Sequence, residues 1–146
     1  MKIDSFSGEH RWLSNFEPCK INAFGYTYQS VEHAYVAAKS TVSEHHLLTW
    51  SCDTPGQAKR LGREVELRTD WEEVRLYYMR TFLEQKFSPG SELRAKLDAT
   101  KGIELIEGNH WGDTFWGVCN GVGKNNLGLL LMAIRDDISL LATKEG

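Results

Sequence analysis

A membrane-crossing helix needs an apolar run of ~18–20 residues, and this chain of 146 residues has none. Its longest apolar stretch, residues 127–134, is short and contains Gly128. The opening Met1-Lys2-Ile3-Asp4-Ser5 lacks the apolar core of a signal peptide, so the expected residence is the cytoplasm. A basic excess is also missing: 17 Lys and Arg stand against 20 Asp and Glu, a net charge of -3. That balance argues against a generic nucleic-acid track but leaves room for a local basic patch. Cysteine is scarce: Cys19, Cys52 and Cys119 are far apart, odd in number and form no CxxC. Reduced thiols are the simple reading. His and Cys do not gather at ligand spacing, so neither a metal nor another cofactor is expected. No repeat, low-complexity tract or linker interrupts the chain, so residues 1–146 read as one domain.

What the chain does have is 41% hydrophobic residues, an ordinary globular share, and five tryptophans. Residues 20–28 are rich in aromatic and β-branched side chains, with a turn near Gly25, and read as a hairpin. Ser30 caps an expected helix over 31–39, with Val31, Ala34, Tyr35 and Ala38 on its apolar stripe and Glu32 and Lys39 on one flank. Thr54-Pro55-Gly56-Gln57 is a capping box with Pro at the first helical position. Asp70-Trp71-Glu72-Glu73 is a second one, opening a helix that runs to Phe87 and stops at Ser88-Pro89-Gly90. Ser91 caps a further helix ending near Gly102, and residues 103–107 suggest a strand. A long loop with five glycines follows from Gly108 to Asn125, then a final apolar helix to about Leu141. A loop of that length inside a compact domain is uncommon unless it is functional. The fold class is therefore α+β, helix-dominated, with short strands near the N-terminus and near Ile103–Ile106.

Four patches carry chemical groups. Ser14 and Asn15, in Trp12-Leu13-Ser14-Asn15-Phe16, can hydrogen-bond a ligand or simply shape a turn. Glu32 lies beside an apolar stripe and beside Tyr28 and Tyr35. Apolar surroundings raise a carboxyl pKa and suit it to proton transfer; the competing reading is a solvated glutamate paired with Lys39. His33 reads as a satisfied or surface histidine, and His45-His46 as a solvated pair. Lys59, Arg60 and Arg63 follow a helix start, a setting that attracts phosphate, although a solvated basic helix has the same pattern. The last patch is Asn109-His110-Trp111-Gly112-Asp113-Thr114-Phe115-Trp116-Gly117. A carboxylate among tryptophans and glycines is hard to explain as plain core, because glycine permits close ligand approach. Gly121-Val122-Gly123-Lys124-Asn125-Asn126 leads from it into a helix without being a P-loop.

Taken together in order, these runs resemble the YbiA-like, or NADAR, family. The matching stretches include Ser30-Val31-Glu32-His33-Ala34-Tyr35, Ala58-Lys59-Arg60-Leu61-Gly62-Arg63, Arg68-Thr69-Asp70-Trp71, Trp111 to Gly117, and Gly123-Lys124-Asn125-Asn126-Leu127-Gly128. They span nearly the whole chain. The resemblance implies N-glycosidase chemistry, on ribosylamino-pyrimidine phosphates of riboflavin synthesis or on ADP-ribosylated guanine in nucleic acid. It places the catalytic glutamate at Glu32, with Asp113 and Trp71 as further catalytic positions. Ser14, Asn15, Lys59, Arg60, Arg63, Trp111, Trp116, Gly117, Lys124 and Asn126 fall around the substrate. Where the family often has an arginine, this chain has Asn126, so a phosphate contact there would pass to another group such as Lys124.

Breaking a ribose C1′–N bond builds positive charge on the sugar, which a nearby carboxylate stabilises. Glu32 takes that role, Asp113 orients ribose hydroxyls or acts as the second acid/base, and Trp71 or Trp116 stacks on the leaving base. The expected site is a cleft between the first helix and the glycine-rich loop. A non-catalytic ADP-ribose or NAD-binding module, or an interaction protein using the Trp111–Trp116 loop, would need many of the same residues.

Overall fold

A computed structural model describes residues 1–138. In chain order its elements are β1 (Lys2–Ile3), a 3-10 helix (Gly8–Leu13), β2 (Ile21–Ala23), β3 (Tyr26–Tyr28), α1 (Val31–Ala38), α2 (Ser43–Trp50), α3 (Pro55–Glu64), α4 (Trp71–Lys86), α5 (Glu92–Asp98), β4 (Glu104–Leu105), β5 (Gly108–Asn109), β6 (Val118–Cys119) and α6 (Asn126–Arg135). The class is α+β, with helices dominant and the strands short. The chain gathers into two compact units, Asn15–Lys86 and Met1–Ser14 together with the chain from Phe87 onward.

In the unit Asn15–Lys86, β2 and β3 pair antiparallel with Ile21 opposite Tyr28. Phe24 and Gly25 make the turn at φ 54° and 84°, the two positive values a tight hairpin turn needs. Gly25 adopts this freely; Phe24 is held there by stacking on His46 at 4.3 Å. The hairpin leads into α1, where the Ser30 hydroxyl accepts from the His33 backbone N–H, the expected N-cap. The expected one-sided stripe is too narrow, since His33, Val36 and Ala37 are buried as well. Alanines make α1 thin enough for α2, α3 and α4 all to pack on it. Gly62 of α3 belongs to this close approach: a Cβ there would sit 3.0 Å from a Val36 methyl.

Two readings need correction in this unit. First, α2 was not anticipated, and His45 and His46 are not solvated. Both are buried, and their Nε2–H groups donate to Val36 C=O at 2.8 Å and Ser40 C=O at 2.7 Å. The pattern misleads because α2 turns its polar residues inward and leaves Leu47, Leu48 and Trp50 exposed. Second, Asp70 opens α4 without a side-chain cap of the expected kind. Its carboxylate is bound by the Arg68 guanidinium at 2.6 and 3.2 Å, a two-pronged pair that holds the carboxyl below the usual range. Thr54 does cap α3 by accepting from Gln57 N–H. The returning Gln57 side chain, however, takes the Asp53 N–H rather than that of Thr54.

In the other unit, β1 and β4 are parallel, as are β5 and β6. Ser91 caps α5 as expected. Gly128 lets α6 lie against β4, because a Cβ there would strike the Leu105 carbonyl. Asn125, in the left-handed region at φ 54°, spans the same junction. Its Nδ2 donates to Leu105 C=O and its Oδ1 accepts from Glu107 N–H. The glycine-rich stretch is therefore not a plain loop. It contains β5 and β6 and is pinned at both ends. The last helix stops at Arg135, earlier than expected, and the remainder of the expected helix from residue 139 lies outside the described residues. The Arg135 guanidinium donates to Thr100 and Ile103 carbonyls, which ties the end of α6 to the turn before β4.

Candidate active site

Glu32 stands in the first turn of α1, half-buried, with its backbone N–H donating to the Asn15 carbonyl at 3.1 Å. Two turns further on, the Lys39 ammonium lies 5.7 Å from the centre of the Tyr35 ring and 3.4 Å from the Gly62 carbonyl. Burial pushes the Lys39 ammonium below its ordinary pKa. Glu32 pulls it back up, while Arg75, Arg63 and Lys59 push it down further. Those opposing effects place one carboxylate and four cations in electrostatic reach of a single point on α1.

Aromatic rings flank this group. Trp71, the first residue of α4, is buried and lies 5.2 Å from the Tyr35 ring. The Arg75 guanidinium is 6.0 Å from the Trp71 ring and donates to the Tyr35 hydroxyl at 3.5 Å. It also pairs with Glu72 at 3.2 Å. Lys59 lies 5.9 Å from the Phe16 ring, a cation–π distance. Asn15 adds a polar atom: its Oδ1 is buried and accepts no hydrogen bond among the described residues. Arg60 is set apart. It is exposed, and its charge acts on the Cys52 thiol. Arg75 was missed by sequence reasoning, although its spacing of four from Trp71 puts both on one helix face.

His33 is the satisfied histidine that the sequence suggested. Its Nε2–H donates to Cys52 C=O at 3.0 Å, so its Nδ1 accepts the Ser30 hydroxyl at 2.7 Å. Burial lowers its pKa, with the Cys52 bond working the other way. This chain of bonds anchors the N-terminal turn that carries Glu32.

The second set of expected residues lies in the other unit. Asp113 is half-buried, and its Oδ1 accepts from the Phe115 N–H at 3.1 Å and the Trp116 N–H at 2.9 Å. Trp116 is buried and meets Phe115 edge to face at 4.7 Å. Trp111 is 56% exposed and touches His110, so the two tryptophans of this segment do different work. Gly117 is needed for space, because a Cβ there would fall on the Glu107 carboxylate and carbonyl. Asn126 spends its side-chain N–H on the Phe115 carbonyl at 3.0 Å. Lys124 is exposed, with its ammonium 5.9 Å from the Phe115 ring. Ser14 closes the 3-10 helix, with its N–H on the Arg11 carbonyl. Sequence reasoning passed over Glu107 and gave Asn109 no role. The Asn109 side chain bonds both Glu107 and Asp113. Among the described residues no three His, Cys, Asp or Glu side chains gather to hold a metal ion, and no helix is long and apolar enough to cross a membrane.

A carboxylate backed by cations and flat rings, on a helix-dominated α+β scaffold, defines a protein that can hold an anionic ligand with an aromatic part. Comparison with known proteins narrows this class. Residues 4–139 match the NADAR domain family. N-glycosidase YbiA of Escherichia coli strain K12 is 35% identical over 139 residues, covering 93% of this chain and 86% of that one. A riboflavin biosynthesis protein of Vibrio vulnificus is 36% identical over 132 residues, which is 88% of this chain and 36% of that protein. The chain thus spans about a third of the Vibrio protein. The NMR structure of E. coli YbiA superposes with a TM-score of 0.82 at 34% identity, covering 99% of this chain and 86% of that one. The chain belongs to the NADAR domain family.

Proposed function

We propose that this protein is an N-glycosidase that hydrolyses the C1′–N bond of a phosphorylated ribosylamine, with a ribosylamino-pyrimidine phosphate of riboflavin synthesis as its substrate. The observation that carries this is the setting of Glu32: one carboxylate acting on Lys39 within a group that includes Lys59, Arg63 and Arg75, beside Tyr35 and Trp71. The cations suit a phosphate. The carboxylate suits the positive charge that develops on the ribose as the bond breaks, and it can activate the attacking water. Asp113 serves the ribose hydroxyls or the second proton transfer. The names of the Vibrio and E. coli relatives support the same reading, and such a substrate places the work in the cytoplasm.

The number of cations favours one other substrate. Lys39, Lys59, Arg63 and Arg75 offer more charge than a single phosphate monoester needs, which suits a diphosphate such as that of ADP-ribosylated guanine. Incubation with each substrate, with products followed by mass spectrometry, tests both. Release of free ribose phosphate from the first supports the main reading, and release of ADP-ribose from the second supports the other. Binding of either without product over hours would make the protein a ligand-binding module instead.

A further inference from the structure

The Asp113 segment is held by a clamp that no residue pattern announced. Asn109 ends β5, opposite Cys119 of β6, and its side chain turns back toward Asp113. Its Oδ1 accepts from the Asp113 N–H at 3.0 Å, and its Nδ2 donates to the Asp113 carbonyl at 2.9 Å. The same Nδ2 donates to the Glu107 carboxylate at 3.1 Å. A primary amide has two N–H donors and one acceptor oxygen, and all are engaged here. Both polar groups of the Asp113 backbone are thus gripped by one rigid plane, so Asp113 cannot shift without losing two bonds together. Past the clamp, Asp113 Oδ1 is committed to the Phe115 and Trp116 N–H groups. That leaves Oδ2 outside this hydrogen-bonded ring.

We propose that Asn109 is the positioning residue for Asp113: its side-chain amide fixes the Asp113 backbone so that one carboxylate oxygen holds the turn and the other is presented to the ribose hydroxyls. This rests on the reading of Asp113 as a substrate-binding carboxylate. Only an amide fills the position. An aspartate at 109 would keep an acceptor for the Asp113 N–H, but it would set lone pairs against the Asp113 carbonyl and the Glu107 carboxylate.

Asn109→Ala and Asn109→Asp, each made alone and with Asp113→Asn, test this on the ribosylamino-pyrimidine phosphate. Asp113→Asn keeps an oxygen for the turn and removes the charge. Each Asn109 variant should lower kcat/KM by about 10- to 10²-fold, the scale of a misplaced reacting group. In the Asp113→Asn background the same changes should cause little further loss, because residues acting as a unit are not additive. Asn109→Asp covers the case in which the alanine variant does not fold. An equal loss in both backgrounds, or full activity of the Asn109 variants beside a crippled Asp113→Asn, would overturn the proposal alone. Full activity of Asp113→Asn would overturn the reading of Asp113 and the proposal with it.

Discussion

Replacing Lys86 with methionine removes a charge that the fold has buried at the end of α4. The side chain is 4% exposed, and burial drops its ammonium from 10.5 to about 8, against upward pulls from Cys19 and Glu17. The unfolded chain therefore binds more protons than the folded one between those two values, so this group adds stability as pH rises through that window. The full gap, from 10.5 to about 8, corresponds to roughly 3 kcal/mol. Of this, ~2 kcal/mol is recovered by wild type between pH ~7 and ~9.5. Methionine has similar length and no charge. Lys86→Met should be more stable than wild type by ~2–3 kcal/mol near neutral pH, and the gap should shrink to ~1 kcal/mol at pH ~9.5. Cys19 works in the opposite sense, since burial raises its thiol above 9.0 and so costs stability as pH rises. Running both proteins with Cys19→Ser removes that contribution. Urea unfolding followed by tryptophan fluorescence at the two pH values gives the difference directly. A stability gap that stays constant with pH, or a methionine variant less stable at neutral pH, would refute the argument.

Other outcomes follow from the same geometry. Glu32→Gln should fold normally and lose at least about 10²-fold in turnover; near-normal turnover on a verified substrate would remove Glu32 from the mechanism. Burial holds His33 and His45 below their ordinary pKa. The unfolded chain then takes up protons first as pH falls, and stability should drop below pH ~6.5. His33→Gln should flatten that slope in acid unfolding curves. Gly128→Ala places a methyl on the Leu105 carbonyl and should destabilise by ~2 kcal/mol or more, read as a fall in the thermal midpoint. Gly25→Ala, with open space but φ 84°, should cost only ~1 kcal/mol.

Local rules account for what the residues alone made legible. The hairpin, the Ser30, Thr54 and Ser91 caps and the stop at Ser88-Pro89-Gly90 each depend on neighbours within a few positions. The family runs, from Glu32 to Gly128, identified the class of protein and nominated its site. Packing decided the rest. Periodicity assumes that apolar side chains face inward, and α2 inverts this by burying histidines whose partners, the Val36 and Ser40 carbonyls, exist only in the folded unit. Arg75 joins the Glu32 group only because α4 packs on α1. Asn109 gains a purpose only when the chain brings Asp113 back to its amide. Sequence spacing carries information over one or two helical turns, whereas a buried polar group is specified by whatever distant partner satisfies it; that pairing had to come from the tertiary structure.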